Sequence, residues 1–287
     1  MPESPEVQAL VEELGSKLTG RAVSEVDVVE FRVTKTRARP LTTLVGERIT
    51  GTARHGKLID LEVGDAHLVV SLGRHGWARW ADGEEVPAAD PETEAEAPPP
   101  ALAVIAFDDG RTLELTDAGN FVSIGGWIVD DPAEVPAVAK LGPDPAADAF
   151  TRADFDRAVV GRRKQVKAVL QEQESLAGIG NAYSDEILHA AKVSPVAHAA
   201  TLTGDDLDRL FETTVGTIRS TIDARRGIPI DRLKAAKVAS MRVHGRAGEP
   251  CPVCGDTIRD FSFASTTAQY CPTCQTDGAV LPLRPGE

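Results

Sequence analysis

The chain has 287 residues, 42% of them hydrophobic and 26% charged, and a net charge of −13. That is the balance of a globular protein long enough for two domains with real cores, and it excludes low-complexity and membrane-spanning classes. So acidic a total argues against a generic nucleic-acid binder, but the charge is unevenly placed. Asp82 to Glu96 holds seven acids and no base, whereas Arg162, Arg163, Lys164 and Lys167 stand together without an acid, and Arg225 to Arg246 carries seven bases against Asp231 alone. A positive face can therefore coexist with a negative sum.

The chain opens Met1, Pro2, Glu3, Ser4, Pro5, Glu6. Residues 7–19 carry apolar positions at helical spacing, with Ser4 suited as N-cap and Pro5 and Glu6 suited to a first turn. Pro2 has a second possibility. Removal of Met1 would leave a secondary amine beside the Glu3 carboxylate, and such an amine can attack a sugar C1′ to form an iminium. No basic stretch followed by an apolar one opens the chain, so the expected location is the cytoplasm, with nucleoid association in a bacterium.

Beyond the helix the pattern turns to short β-branched runs: 22–29, 48–52, 57–63, 67–72, 77–80, 103–107, 112–115 and 122–129, with Asp109-Gly110 as a hairpin turn. Eight such strands predict an antiparallel sandwich with the first helix packed on it. Residues 84–100 are Pro-, Ala- and Glu-rich and read as a disordered insertion. After a Pro/Gly-rich linker near 132–145 the pattern is helical, over 153–160, 163–172, 181–191, 204–225 and 230–237. The expected fold is therefore α+β and multidomain: a β-sandwich domain over 1–135, a helical domain over 146–239 and a small metal-bound domain over 240–287.

Cys251-Pro-Val-Cys254 and Cys271-Pro-Thr-Cys274 lie sixteen residues apart, the spacing of a two-knuckle zinc site. Four thiolates close a tetrahedron, so the site is structural, one Zn2+ per chain. Residues 256–270 between them read as a hairpin with its tip near 264–267. Leu176-Ala-Gly-Ile-Gly-Asn181-Ala-Tyr183-Ser-Asp-Glu opens a helix with two glycines and an asparagine amide, a favourable place for a phosphate. Arg54-His55-Gly56-Lys57 is a basic cluster leading into a strand.

The Pro-Glu terminus, the Gly-Lys after a basic pair, the Gly-Ile-Gly-Asn-x-Tyr-x-x-Glu run and the terminal four-cysteine finger occur in one order across nearly the whole chain. In this the sequence closely resembles the formamidopyrimidine-DNA glycosylase and endonuclease VIII family of base-excision repair enzymes. The resemblance implies a two-layer β-sandwich, a helix-two-turn-helix domain and a zinc-finger hairpin. It also implies a bifunctional glycosylase and AP lyase acting as a monomer on damaged double-stranded DNA. Pro2 would be the nucleophile, Glu3 the acid assisting sugar-ring opening, and Lys57 a phosphate-contacting lysine of the catalytic centre. Glu6, Arg54, His75, Lys167, Asn181 and Tyr183 would lie along the DNA.

Three departures stand out. The family's finger arginine is replaced by Thr266, with Arg259 and Arg242 as the nearby cations. Its void-filling trio of Met, Arg and Phe aligns with Arg74, Gly119 and Phe121. The segment 227–246 is several residues shorter than the lid loop of 8-oxoguanine-specific members, and this departure and the previous one shift the expected lesion toward oxidised pyrimidines or some unusual lesion. A non-catalytic binder of lesions or DNA structures on the same fold is the alternative.

Overall fold

The computed structural model describes residues 1–81, 98–263 and 266–281, the side chains of Phe263 and Thr266 excepted. The chain forms two compact units, Met1–Ala139 with Arg225–Lys234, and Lys140–Ala224 with Ala235–Glu287. Most of the acidic run expected to be a disordered insertion lies outside the described residues, as does the tip of the finger hairpin at 264–265.

The first unit opens with helix α1 (Ser4–Leu18), whose Val7, Leu10, Val11, Leu14 and Leu18 recur on one face and are buried. Among the described residues eight strands follow: β1 (Val23–Asp27), β2 (Ile49–His55), β3 (Leu58–Val63), β4 (Ala66–Ser71), β5 (Gly76–Trp80), β6 (Ala101–Phe107), β7 (Thr112–Asp117) and β8 (Gly125–Val129). They form two antiparallel sheets of order β1-β6-β7-β5 and β2-β3-β4-β8. Alternate residues face one shared core: Ala103, Ile105 and Phe107 of β6 and Leu113 and Leu115 of β7 meet Ile59, Leu61 and Val63 of β3 and Leu68 and Val70 of β4.

The period-2 pattern sends Leu58 and Val69 to the opposite face, where Val129 and Val135 cover them. Val135 immediately precedes a single helical turn, α2 (Pro136–Ala139), in the stretch that the sequence reads as linker. Asp60 shares that outer face. It is buried, and its carboxylate meets His55 Nε2 and His67 Nδ1, each at 3.0 Å.

Residues 225–234 join the first unit through Ile230 and Leu233, which enter its core. Glu13 on α1 holds them, taking the Ile230 N–H at 2.6 Å and the Trp80 indole N–H at 2.9 Å. The sequence places this stretch with the helical segment because its charges suit a helix face, whereas its two buried aliphatic residues decide its packing.

The second unit contains α3 (Arg152–Val159), α4 (Val166–Gln171), α5 (Asn181–Ala191) and α6 (Gly204–Arg225), whose apolar faces meet around Phe155, Leu170, Tyr183, Ile187 and Ile218. Helix α7 (Leu233–Ser240) precedes the finger. There β9 (Arg259–Phe263) pairs antiparallel with β10 (Thr266–Tyr270), and a short helix, α8 (Pro272–Gln275), carries the last cysteine. Among the described residues no helix is long and apolar enough to cross a membrane.

Candidate active site

Pro2 and Glu3 are both buried where α1 begins. Glu3, with extended backbone, is the N-cap, so Ser4 is the first helical residue and not the cap. The reason lies in Glu6, whose Oε2 accepts the Glu3 N–H at 3.1 Å, the return bond of a capping box starting one residue earlier than the sequence suggests. Glu6 is itself 1% exposed, and the buried Arg225 guanidinium lies 3.8 Å away. Its carboxylate is therefore engaged in fixing the N-terminus and in an ion pair.

Ser4 has another partner. Arg54, at the end of β2, donates from Nη1 to Ser4 Oγ at 3.0 Å and to Gly56 O at 2.8 Å, and from Nε to Gln8 Oε1 at 2.9 Å. One planar guanidinium thus ties the start of α1 to the two-residue turn between β2 and β3. Gly56, at φ +57°, occupies the first central position of that turn, where a β-hairpin demands positive φ, and Lys57 follows it. On the other side of the turn the His55–Asp60 contact holds the strand end. Arg54, which the sequence marks only as a DNA contact, thus links Ser4, the neighbour of Glu3, to Gly56, the neighbour of Lys57.

Arg74 and His75 are exposed in the β4–β5 loop, and Phe121, in the β7–β8 loop, is 84% exposed. Asp117 organises the β7–β8 loop, and Ser123 joins it to the other. Burial alone would raise the Asp117 carboxyl. Hydrogen bonds from Gly119 N, Ser123 N, Ser123 Oγ and Ile124 N outweigh that and hold it below the usual carboxylate range. Ser123 Oγ in turn accepts the N–H groups of Arg74 and His75 at 3.1 and 3.3 Å. A Cβ on Gly119 would lie 2.8 Å from Cδ2 of His75, so the imidazole occupies the space a side chain at 119 needs.

In the second unit Asn181 is the first residue of α5 and is half-buried. Two expected DNA contacts prove to be interior. The Tyr183 ring is buried in the helical core, with Lys237 Nζ 4.8 Å from its centroid. Lys167 is 4% exposed and its Nζ lies 2.5 Å from Asp185 Oδ1, an ion pair that solvent does not reach. Losing either partner of such a pair costs about 3–5 kcal/mol, so a Lys167 variant would report on folding before it reported on DNA. The sequence shows Lys167 in a basic run because its acid lies eighteen positions away, on another helix.

Helix α5 also anchors the finger. Glu186 Oε1 accepts the N–H groups of Val243 and His244, each at 2.9 Å, and its Oε2 accepts that of Arg242 at 3.0 Å, while Asp185 Oδ2 meets His244 Nδ1 at 2.8 Å. His189 Nε2 lies 3.3 Å from Cys251 Sγ, and burial, then the Arg242 charge, keeps its imidazole below its usual pKa. Arg259 is exposed on β9; Thr266 begins β10, and its side chain lies outside what the structure describes. The four cysteine sulfurs lie within 4.8 Å of one another.

Residues 1–124 match the formamidopyrimidine-DNA glycosylase N-terminal domain, residues 141–231 its H2TH domain and residues 248–276 the zinc finger found in FPG and IleRS. The chain belongs to the formamidopyrimidine-DNA glycosylase family. A formamidopyrimidine-DNA glycosylase of Heliobacterium modesticaldum is 31% identical over 286 residues, covering 96% of this chain and all of its own. An uncharacterized formamidopyrimidine-DNA glycosylase-like protein of Mycobacterium tuberculosis is 46% identical over 149 residues, which is 52% of this chain and 93% of that one. Among solved structures, Lactococcus lactis Fpg (MutM) in complex with N7-benzyl-Fapy-dG DNA superposes with a TM-score of 0.81 at 25% identity, covering 96% of this chain and 100% of that one.

The family's finger carries a structural zinc ion, and the cysteines here fit it. A tetrahedron of sulfurs about 2.3 Å from zinc has edges of about 3.8 Å, and the Cys254–Cys271 and Cys251–Cys274 sulfur pairs stand 3.3 and 3.9 Å apart. Zinc supplies the folding energy of a hairpin with a small apolar core of its own, in which, among the described residues, Val243, Cys251, Ile258 and Cys271 form one buried cluster. Sequence reasoning missed Asp117, Ser123 and Gln171, polar residues with no motif around them. Only the structure marks them as organisers, Asp117 through Gly119, Ser123 and Ile124, Ser123 through Arg74 and His75, and Gln171 through Asn181 and Ser184.

Proposed function

We propose that this protein is a bifunctional DNA glycosylase and AP lyase that excises an oxidised base from double-stranded DNA and then cleaves the strand. The observation that supports the reading is the Arg54 guanidinium bonded both to Ser4, next to Glu3, and to Gly56, next to Lys57. Once Met1 is removed, the Pro2 nitrogen attacks C1′ of the extruded nucleotide, the base leaves, and an iminium forms. Loss of a proton from C2′ then expels the 3′ phosphate. Glu3 protonates the opening sugar ring, and Lys57 pairs with a backbone phosphate.

Asn181 would hold the DNA backbone at the α5 N-terminus, where peptide N–H groups favour an anion. Arg74 and Phe121 are the residues assigned to the gap left by the extruded nucleotide, with His75 a further DNA contact. The working parts are residues 1–135, 146–239 and 240–287, acting as one monomer in the cytoplasm or on the nucleoid. Helix α7 within the stretch 227–246, where a long lid loop would be needed for 8-oxoguanine, favours oxidised pyrimidines as substrates.

Borohydride reduction during turnover on abasic-site DNA tests the chemistry. The expected product is DNA covalently attached to the peptide that begins at Pro2. A chain extended by one residue beyond Pro2 should trap nothing. If it traps as well as the unblocked chain, with the crosslink mapped to Lys57, Pro2 is not the nucleophile. If the unblocked chain traps nothing, the non-catalytic DNA binder takes its place.

A further inference from the structure

The turn that presents Asn181 is held by a chain of hydrogen bonds whose direction follows from its one member that can only donate. Lys167 Nζ points to three acceptors: Asp185 Oδ1 at 2.5 Å, Ser184 Oγ at 2.9 Å and the Asn181 carbonyl at 3.2 Å. The Ser184 hydroxyl is buried, and its single hydrogen goes to the same Asn181 carbonyl, 2.9 Å away. Toward its remaining neighbour, Gln171, it can therefore act only as an acceptor.

Gln171, the last residue of α4, must answer with its nitrogen, and Nε2 lies 3.0 Å from Ser184 Oγ. The same nitrogen lies 3.1 Å from the Asn181 side chain, where its second hydrogen needs an oxygen, and Oδ1 stands there. With Oδ1 turned to Gln171, the Nδ2 group of Asn181 faces away from it. An asparagine amide is nearly symmetric in shape, so packing alone cannot choose between its two orientations; only a directional hydrogen-bond chain can.

We propose that Gln171 is a positioning residue that fixes the Asn181 amide as a hydrogen-bond donor toward a DNA phosphate, with Lys167 and Ser184 setting its own orientation. The inference rests on the reading of Asn181 as a phosphate contact. A phosphate oxygen only accepts, so an Asn181 turned the other way would present oxygen to oxygen. Lys167 thereby influences DNA binding from the interior, through three side chains. Gln173 braces the same turn by separate bonds, from Nε2 to Ile179 O at 2.8 Å and from Gly178 N to Oε1 at 2.9 Å, so the backbone of the turn does not depend on Gln171.

The test measures binding to a duplex carrying a tetrahydrofuran abasic analogue, for Q171L and Q171E, each in the wild-type and N181A backgrounds. Thermal unfolding of every variant is followed in parallel. Q171L removes the bond and is expected to weaken binding about threefold to tenfold, the weight of one hydrogen bond. Q171E keeps the shape but can only accept, which reverses Asn181, and should weaken binding more. A role in shape alone would survive Q171E.

In the N181A background Q171L should have no further effect, and Q171E should show only the cost of its added charge. Equal factors in the two backgrounds, or wild-type binding by Q171L, overturn the relay while leaving the phosphate contact standing. Wild-type binding by N181A itself overturns the phosphate reading of the turn, and the relay with it.

Discussion

At the scale of single residues the proposed chemistry rests on the N-terminus, and Glu3 gives its clearest prediction. A positioned general acid contributes about 10²- to 10⁴-fold, so Glu3→Gln should lose base excision by that order. Cleavage at a preformed abasic site should fall much less, because an iminium already formed can eliminate unassisted. Parallel rate measurements on a lesion-containing and an abasic duplex check this, and equal losses on both would remove Glu3 from the excision step. Pro2, Glu3 and Lys57 stand out in the sequence because each sits in a short local motif, and their roles are what the borohydride experiment tests. Lys167 and Tyr183 were misread as surface contacts because nothing local to them reveals a partner: Asp185 comes from a different helix, and the Tyr183 ring is covered by its own domain's core. The Gly119 departure became intelligible only with His75 in view, since the imidazole fills the space beside it.

Among the elements, strands and helices were legible nearly throughout, because burial of alternate residues in β6 and β7 and of one face in α1 leaves a periodic trace. The attachment of Arg225–Lys234 to the sandwich unit left no such trace, resting on two aliphatic residues and on Glu13. Two elements yield predictions. The finger is too small to fold without its metal, so chelation, or Cys→Ser at any of the four positions, should weaken duplex binding by tenfold or more on the order expected for a lost domain contact. Unfolding of the two larger cores should stay near its wild-type temperature; elemental analysis finding no zinc in the purified protein would refute the assignment. Zinc is held by thiolates, so protons compete with the metal and zinc should be released as the pH falls.

The α4 region gives the other. Hydrogen bonds from Lys164 and Ser175, with Arg162 beside them, depress the Glu172 carboxyl to about 2. A carboxylate depressed in the folded state stabilises it above the ordinary value near 4.5, and that contribution disappears as the pH falls from 4.5 toward 2. Glu172→Gln should therefore unfold more readily than the wild type at neutral pH and converge with it below about pH 2. Acid-unfolding curves that stay separated there would show that the effect of the substitution is not electrostatic.

For the whole molecule the question is how a chain of net charge −13 grips a polyanion. The sequence suggests that the two basic stretches neutralise phosphates together, and the structure reduces their contribution. Arg162 and Lys164 share Glu172, and Lys167 is buried against Asp185. In the second stretch Arg225, Arg226 and Arg246 meet Glu6, Glu12 and Glu249. The exposed cations outside these ion pairs include Arg74, Arg163, Arg242 and Arg259. Each phosphate neutralised contributes about −0.9 to the slope of log affinity against log salt, so about four contacts give a slope near −3.6. Affinity should then fall about two orders of magnitude between 50 and 200 mM salt. Glu172→Gln releases Arg162 and Lys164 from their acid, and should steepen the slope by about one to two contacts while tightening binding at low salt. Equilibrium binding over a salt series, for the wild type and this variant, decides the matter. A flat wild-type line would mean that DNA is not held through these cations, and an unchanged slope in Glu172→Gln would place Arg162 and Lys164 away from the contact surface.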